Sequence, residues 1–194
     1  MGRLVLILGG ARSGKSAMAE RMARERSGRV TFIATAEARD GEMRQRIRAH
    51  QAARPAGWRT VEEPLNLGSA VLEAAAESET VLVDCLTLWI SNLICRLEPP
   101  ASDEGWASVP EQLTPEVEAT AASLLDAARS SDATILVVSN EVGLGLVPPY
   151  PLGRVYRDLL GYVNRRLAAE AEQVLLMVAG LPLDVKQLAL GGLP

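Results

Sequence analysis

Short aliphatic runs alternate along the chain with longer segments in which apolar residues recur at helical spacing. The runs predict five strands: Leu4 to Leu8, Val30 to Ile33, Val81 to Val83, Ile135 to Val138 and Val174 to Val178. The other segments predict six helices: Lys15 to Arg26, Gly41 to Gln51, Leu67 to Ala76, Leu86 to Cys95, Pro115 to Arg129 and Leu152 to Glu172. Buried strands alternating with helices are typical of an α/β fold with a mainly parallel central sheet between two helical layers.

Two proline-rich segments interrupt this alternation. Residues Arg96 to Thr114 mix proline, serine and acidic residues, which predicts a surface excursion. Residues Gly143 to Gly153, with the sequence GLGLVPPYPLG, predict a loop near the functional site. Neither segment marks a domain boundary and the chain has no internal repeat, so we expect residues 1–194 to form a single catalytic domain.

Composition narrows the class of protein. The chain has 194 residues, of which 48% are hydrophobic and 23% charged, as in a globular domain that buries an aliphatic core. Its net charge of −4 argues against non-specific nucleic-acid binding.

No apolar run is long enough to span a membrane, so we expect a cytoplasmic protein without membrane insertion. Cys85 and Cys95 have no metal-ligand spacing, and we expect both to be small buried hydrophobic residues.

A phosphate-binding motif directly follows the first predicted strand. The pattern GxxxxGK[ST] is matched by Gly9, Gly10, Ala11, Arg12, Ser13, Gly14, Lys15 and Ser16. Between a strand and a helix, such a loop turns its N–H groups towards phosphates, and the helix N-terminus adds favourable potential. We expect Lys15 to reach the β- and γ-phosphates and the Ser16 hydroxyl to bind Mg²⁺. The motif predicts a P-loop NTPase (RecA-like) fold, the alternative being a simple glycine turn.

Asp84 ends the third predicted strand and suits the second ligand of that Mg²⁺ ion. An alternative is that it caps the helix that follows. The motif alone does not name the reaction. A signalling GTPase would carry an NKxD-type guanine signature, and the nearest stretch here, Asn140 to Gly143, lacks both the lysine and the aspartate. A small-molecule kinase remains open.

The only histidine lies in a locally basic segment. Five arginines and no acidic residue occur between positions 44 and 59: Arg44, Arg46, Arg48, Arg54 and Arg59. This segment is a candidate anion-binding surface. Helical spacing places Met43, Ile47 and His50 on one face, and Arg44, Arg48 and Gln51 on the next. Spacing alone favours a core-facing histidine with a solvated basic flank, although an imidazole can also attack phosphorus.

Five blocks of the sequence resemble one enzyme family over nearly the whole chain. They are LILGGARSGKS at 6–16, IAT at 33–35, RIRAHQAARPAGWRTVEEP at 46–64, VLVDCLTLWISNL at 81–93 and VVSNEVGLGLVPPYPLGRVYRDLLGYVNRRLA at 137–168. The chain resembles the bifunctional adenosylcobinamide kinase/adenosylcobinamide-phosphate guanylyltransferase family of cobalamin biosynthesis. The phosphate loop is generic, whereas the block with His50, Arg54, Pro55 and Trp58 and the SNEVG stretch at 139–143 are specific.

The resemblance implies two activities. The first uses ATP or GTP to phosphorylate the hydroxyl of the aminopropanol arm of adenosylcobinamide. In the second, GTP guanylylates a histidine, which falls on His50, and GMP then passes to adenosylcobinamide phosphate to give adenosylcobinamide-GDP. The resemblance also implies a homotrimer. Lys15 and His50 are the expected catalytic residues, and Ser16 and Asp84 the expected Mg²⁺ ligands.

The resemblance further implies a set of nucleotide contacts outside the phosphate loop. They are Thr35, Ala36, Glu37, Gln51, Ala52, Ala53, Arg54, Glu62 and Asp84. Glu62 is expected to accept N–H bonds from the guanine edge, or else is a surface carboxylate. Two other functions stay open: a P-loop kinase of another small alcohol without a covalent intermediate, and a nucleotide-regulated binding module without turnover.

Overall fold

The computed structural model describes residues 2–38 and 41–189, which form a seven-stranded sheet flanked by helices. The strands are β1 (Arg3–Gly9), β2 (Val30–Ala34), β3 (Arg59–Glu62), β4 (Thr80–Asp84), β5 (Thr134–Val138), β6 (Gln173–Val178) and β7 (Leu181–Asp184). The helices are α1 (Lys15–Arg24), α2 (Gly41–Ala53), α3 (Leu67–Glu77), α4 (Leu86–Arg96), α5 (Val109–Ser130), α6 (Pro151–Glu170) and α7 (Val185–Leu188), with a 3₁₀ helix at Asp103–Ser108.

The order of the strands is β3-β2-β4-β5-β1-β6-β7, and only the pairing of β6 with β7 is antiparallel. This confirms the prediction of a mainly parallel sheet. Strand β5 lies between β1 and β4, so that Val138 pairs with Ile7 on one side and with Asp84 on the other. The carboxyl ends of these three strands therefore meet at one edge, where ligands collect in open parallel sheets.

Two hydrophobic cores on opposite faces of the sheet confirm the three predicted layers. Alternate residues of a strand point to opposite faces. Leu4 and Leu6 of β1 pack in the core shared with α3, α4, α5 and α6. Val5 and Ile7 pack in the other core, with Ala19 and Ala23 of α1. Among the described residues, no helix is sufficiently long and apolar to cross a membrane.

Four details differ from the predictions, each for a packing reason. Strands β3 and β7 were not expected because, as mostly exposed edge strands, they lack an apolar run. Helix α5 begins at Val109 instead of Pro115 because Val109 and Leu113 are buried, and this packing outweighs the internal proline. Residues 96–114 are consequently partly helical. Helix α6 begins at Pro151, so the last residues of the predicted 143–153 loop are helical. Cys95 is exposed, so the prediction of a buried side chain there was wrong, and Cys85 is partly exposed instead of fully buried.

Candidate functional site

The loop from Gly9 to Ser16 joins β1 to α1, as the phosphate-binding motif requires. Gly9 has a φ of +149°, and a Cβ there would lie 2.7 Å from the Met177 carbonyl oxygen. Gly14 has a φ of +97° and directly precedes the first residue of α1, Lys15. Backbone freedom and close packing therefore require glycine at these positions.

Two backbone hydrogen bonds fix this loop against its neighbours. Gly180, in the turn between β6 and β7, donates its N–H to the Ser13 carbonyl oxygen over 3.1 Å. Glu141, just beyond β5, donates its N–H to the Gly9 carbonyl oxygen, also over 3.1 Å. The loop is therefore held from both neighbouring strands before any ligand binds.

Lys15 is a buried cation in this loop. Its side chain is 8% exposed, and its Nζ donates to the Gly10 carbonyl oxygen over 2.6 Å. Burial lowers the pKa of Lys15, and the nearby Cys85 and Asp84 only partly oppose this effect. A phosphate in the cleft would supply the negative charge that compensates a buried ammonium group.

Ser16 and Asp84 lie close together at the mouth of the loop. The Ser16 hydroxyl donates to Asp84 Oδ1 over 3.3 Å. A hydroxyl and a carboxylate are the hard oxygen donors that Mg²⁺ prefers, and phosphates and water complete its shell in nucleotide sites. Among the side chains that the structure describes, which do not include that of His50, no cluster of three or more histidine, cysteine or acidic residues offers a metal site of another type. The residues present therefore fit Mg²⁺ bound together with a nucleotide.

Thr35 supports the backbone beside Asp84. Its hydroxyl donates to the Cys85 carbonyl oxygen over 2.7 Å and accepts the Cys85 N–H over 2.9 Å. Its own N–H donates to the Asp84 carbonyl oxygen over 3.2 Å. Thr35 is fully buried, and so its hydroxyl fixes the Asp84–Cys85 segment instead of facing the cleft. A direct contact between Thr35 and a nucleotide stays a prediction.

A cleft of about 1040 Å³ brings most of the predicted site residues together. Its walls include the phosphate loop and helix α2. Arg44, Arg48 and Gln51 of α2, which the helical spacing assigned to one face, line the cleft, and so does Ile47, which the spacing assigned to the neighbouring face. The predicted contacts that line it are Ala11, Arg12, Ser13, Gly14, Lys15, Ser16, Ala36, Gln51, Arg54, Glu62 and Asp84. Those that do not are Gly9, Gly10, Thr35, Glu37 and Ala52.

His50 belongs to α2, but its side chain and that of Ala53 lie outside the described residues. The backbone of α2 places His50 two positions after Arg48 and one before Gln51, both of which line the cleft. The role of His50 stays a prediction.

Arg54 and Glu62 form the far wall of the cleft. The Arg54 guanidinium lies over the Phe32 ring at 3.7 Å from its centre, and its Nη1 donates to Thr60 Oγ1 over 3.4 Å. Burial lowers the pKa of Arg54, whereas nearby carboxylates, Asp84 first, raise it. Glu62 Oε1 accepts a hydrogen bond from Gln51 Nε2 over 2.8 Å. This wall offers both a cation and a carboxylate to a ligand.

Several residues that line the cleft were not among the predicted nucleotide contacts. Cys85 and Thr87 follow Asp84, and Asn140 stands just beyond β5. Burial, and secondarily Asp84, raises the pKa of the Cys85 thiol to about 11, so this group is neutral at physiological pH. The signal for Asn140 was its position as a polar residue at the carboxyl end of an apolar run.

Comparisons with known proteins give matches over nearly the whole chain. Residues 5–185 match the CobU family model, described as cobinamide kinase / cobinamide phosphate guanyltransferase. The bifunctional adenosylcobalamin biosynthesis protein CobP of Pseudomonas aeruginosa is 46% identical over 93% of this chain and 96% of its own length. The protein CobU of Salmonella typhimurium, described in the same words, is 37% identical over 94% of this chain and 99% of its own length.

A solved structure extends the comparison to the fold. The type III secretion ATPase EscN of enteropathogenic E. coli has a TM-score of 0.50 and 12% identity, over 92% of this chain and 43% of its own length. At this identity the likeness concerns the fold alone. Together with the strand–loop–helix geometry at Gly9 to Ser16, it confirms the P-loop NTPase fold.

Proposed function

Because the chain belongs to the cobinamide kinase / cobinamide phosphate guanyltransferase family, we propose that it phosphorylates adenosylcobinamide and then transfers GMP to the phosphorylated product. The observation that carries this proposal is a single cleft lined by Lys15, by Ser16 with Asp84, and by the basic face of α2. Such a cleft suits a nucleoside triphosphate, the shared reactant of both steps.

In the kinase step, the substrate hydroxyl oxygen attacks the γ-phosphorus of ATP or GTP. The bond from that phosphorus to the β-bridging oxygen breaks, the nucleoside diphosphate leaves, and the hydroxyl proton goes to solvent. Lys15 and the loop N–H groups hold the β- and γ-phosphates. Ser16 and Asp84 are the residues that would hold Mg²⁺, whose charge offsets that of the phosphate oxygens.

In the guanylyl step, an imidazole nitrogen of His50 attacks the α-phosphorus of GTP and pyrophosphate leaves. A phosphate oxygen of adenosylcobinamide phosphate then attacks the same phosphorus, the P–N bond breaks, and adenosylcobinamide-GDP forms. The covalent intermediate lets pyrophosphate depart before the bulky corrinoid enters. Support comes from the family resemblance at His50 and from Arg44 and Arg48, which line the cleft on the same helix and can stabilise departing charge.

Labelled GTP tests both the intermediate and its position. The purified protein is incubated with Mg²⁺ and GTP labelled at the α- or the γ-phosphate, quenched in base, and assayed for protein-bound label that acid releases. We expect α-label to be retained, γ-label to be absent, and the signal to vanish in His50→Ala. No bound label at saturating GTP would overturn the guanylyl step and favour a simple kinase of another alcohol.

The two activities are expected to separate by mutation. His50→Ala loses guanylyl transfer and keeps kinase activity, because γ-phosphoryl transfer relies on Lys15, Ser16 and Mg²⁺ instead of the imidazole. Lys15→Ala impairs both activities, since each begins with a bound triphosphate. Equal loss of both activities in folded His50→Ala would contradict this division of roles.

We extend the proposal to assembly and location. The family resemblance supports a homotrimer, and we propose that it works in the cytoplasm, binds no nucleic acid and does not insert into a membrane. Light scattering on the purified full chain tests the assembly, and a mass other than that of three chains would contradict it. Cell fractionation tests the location.

A further inference from the structure

Asn140 stands at the centre of the edge where the phosphate loop and Asp84 meet. It lies two residues beyond Val138, which pairs with Ile7 of β1 on one side and with Asp84 on the other. Val138 and Asn140 both line the cleft, whereas the intervening Ser139 is fully buried and is not part of its lining. Asn140 therefore faces the same space as Lys15 and Asp84.

The backbone of Asn140 is fixed on both sides by side chains from other elements. Its N–H donates to Thr87 Oγ1 of α4 over 3.1 Å, and its carbonyl oxygen accepts from Asn164 Nδ2 of α6 over 2.9 Å. A side chain that must reach a ligand with defined geometry needs this kind of support from a rigid scaffold. Neither Thr87 nor Asn164 is a sequence neighbour of Asn140.

Asn164 itself is costly to bury. It is 5% exposed, and its Oδ1 has no hydrogen-bond partner among the residues that the structure describes. An unpartnered buried amide oxygen destabilises the fold. The hydrogen bond to Asn140 is the contact that this buried amide makes at the candidate site, which is consistent with a positioning role.

We propose that the Asn140 carboxamide donates a hydrogen bond to a γ-phosphate oxygen of the bound triphosphate, and that Asn164 is a positioning residue acting through Asn140. This rests on the proposed use of a triphosphate. A neutral donor suits this place because Lys15 and Mg²⁺ already supply positive charge. The hydrogen bond from Asn140 makes binding selective for the nucleoside triphosphate over the diphosphate product, because only the triphosphate has a γ-phosphate.

Affinities for a triphosphate and a diphosphate test the contact directly. Calorimetry with Mg²⁺ and without corrinoid measures binding of the α,β-methylene analogue of GTP, whose α–β bridge His50 cannot cleave, and of GDP to the full-length wild-type protein, Asn140→Ala and Asn140→Asp. We expect Asn140→Ala to weaken binding of the triphosphate analogue about tenfold and that of GDP less than about twofold, the effect of losing one hydrogen bond to an ionised group. Asn140→Asp, which adds a negative charge, should weaken triphosphate binding further.

Ser139→Ala is the matched control. It changes the adjacent residue, whose buried hydroxyl has no hydrogen-bond partner in the described part of the chain. We expect its ratio of triphosphate to diphosphate affinity to equal that of the wild type. An unchanged ratio in Asn140→Ala, or an equal loss for both nucleotides, would overturn the proposed γ-phosphate contact.

A double-mutant cycle tests the positioning role of Asn164. Asn164→Ala should lower the same affinity ratio in the wild-type background and leave it unchanged in Asn140→Ala, because its effect passes through Asn140. Equal effects in both backgrounds would overturn that role. If Asn164→Ala does not fold, Thr87→Val, which removes the acceptor of the Asn140 N–H, takes its place in the cycle.

Wild-type controls separate this inference from the proposed function. A wild-type protein that binds the triphosphate analogue but does not phosphorylate adenosylcobinamide would overturn the kinase proposal, while the affinity ratios would still test Asn140. An active wild-type protein with an unchanged ratio in Asn140→Ala would overturn the Asn140 contact alone.

Discussion

The Ser16 hydroxyl donates to Asp84 Oδ1 over 3.3 Å although the strands that lead to these residues are not neighbours in the sheet. Strand β5 separates β1 from β4, and the first turn of α1 spans the gap. The two oxygen donors therefore come together only when three strands and a helix are in place. Metal binding at this site is in this way coupled to the correct order of the sheet.

Removal of either donor should raise the Mg²⁺ requirement of phosphoryl transfer. We expect Ser16→Ala and Asp84→Asn each to raise the Mg²⁺ concentration for half-maximal activity by at least about tenfold, because each change removes an oxygen ligand or its charge. Initial rates at saturating nucleotide over a range of Mg²⁺ concentrations measure this. Asp126→Asn is the control, because Asp126 is an exposed carboxylate on α5 outside the cleft. An unchanged Mg²⁺ dependence in Asp84→Asn would contradict the assignment of Asp84 as a Mg²⁺ ligand.

Thr35→Val tests how Asp84 is supported. The change keeps the shape of the side chain but removes the hydroxyl that bonds both the N–H and the carbonyl oxygen of Cys85. Leaving these buried groups unpaired should lower the free energy of unfolding by about 2 kcal/mol and reduce activity in the folded fraction. Urea unfolding and initial rates measure the two effects.

Thr35→Ser is the matched variant because it retains the hydroxyl. We expect it to keep most of the stability and the activity that Thr35→Val loses. If Thr35→Val and Thr35→Ser were equally active and equally stable, the two hydrogen bonds would not be what holds the Asp84–Cys85 segment.

The phosphate loop was predictable because its chemistry is contiguous in sequence. The motif between β1 and α1 specifies its own glycines, its cation and its hydroxyl, and Asp84 was found because it ends an apolar run. The clamp of Thr35 on Cys85 spans 50 positions and depends on β2 lying beside β4, an order that no local pattern reveals. Asn140 lies in the family-specific stretch 139–143, but its contacts with Thr87 and Asn164 are both long-range and no local pattern reveals them.

The fold shows the same division between local and long-range information. Five buried strands were predicted from their apolar runs, whereas the edge strands β3 and β7 expose most of their residues and have no such run. The start of α5 was misplaced because proline is locally unfavourable inside a helix, and only the tertiary burial of Val109 and Leu113 reveals that the helix continues through it.

Gly9 and Gly10 should differ sharply in their tolerance of a side chain. A Cβ at Gly9 would lie 2.7 Å from the Met177 carbonyl oxygen at a φ of +149°, whereas a Cβ at Gly10 meets nothing within 4 Å. We expect Gly9→Ala to lower the free energy of unfolding by about 2 kcal/mol and Gly10→Ala to leave it nearly unchanged. Thermal and urea unfolding measure the difference, and equal stability of the two variants would contradict the loop geometry.

The two cysteines should react at different rates with an alkylating reagent. Burial raises the pKa of Cys85 to about 11, so its thiol is neutral and unreactive at pH 8, whereas Cys95 is exposed to the reagent. We expect iodoacetamide to modify Cys95 first and Cys85 much more slowly, as mass spectrometry of peptides would show. Cys95→Ser isolates the slow site, and rapid modification of Cys85 in the folded variant would contradict its raised pKa.

The raised pKa of Cys85 also predicts how the free energy of unfolding changes with pH. A thiol whose pKa is higher in the folded than in the unfolded protein favours the fold while it stays protonated. Its contribution is therefore complete below the ordinary thiol pKa of 9.0 and is lost as the pH rises through about 11. We expect Cys85→Ala to reduce the alkaline loss of stability relative to the wild type, which unfolding measured between pH 8 and 11 would reveal.

The basic face of α2 should contribute to nucleotide binding through long-range charge. Arg44 and Arg48 are exposed and line the cleft that contains Lys15. We expect the double variant Arg44→Gln/Arg48→Gln to bind GTP about 3- to 10-fold more weakly at low salt, because two positive charges facing the phosphates are lost. The difference from the wild type should shrink as salt rises, since charges in solvent are screened over about 10 Å at 0.1 M. Arg21→Gln, an exposed arginine on α1 outside the cleft, controls for net charge, and a loss of affinity independent of salt would contradict an electrostatic role.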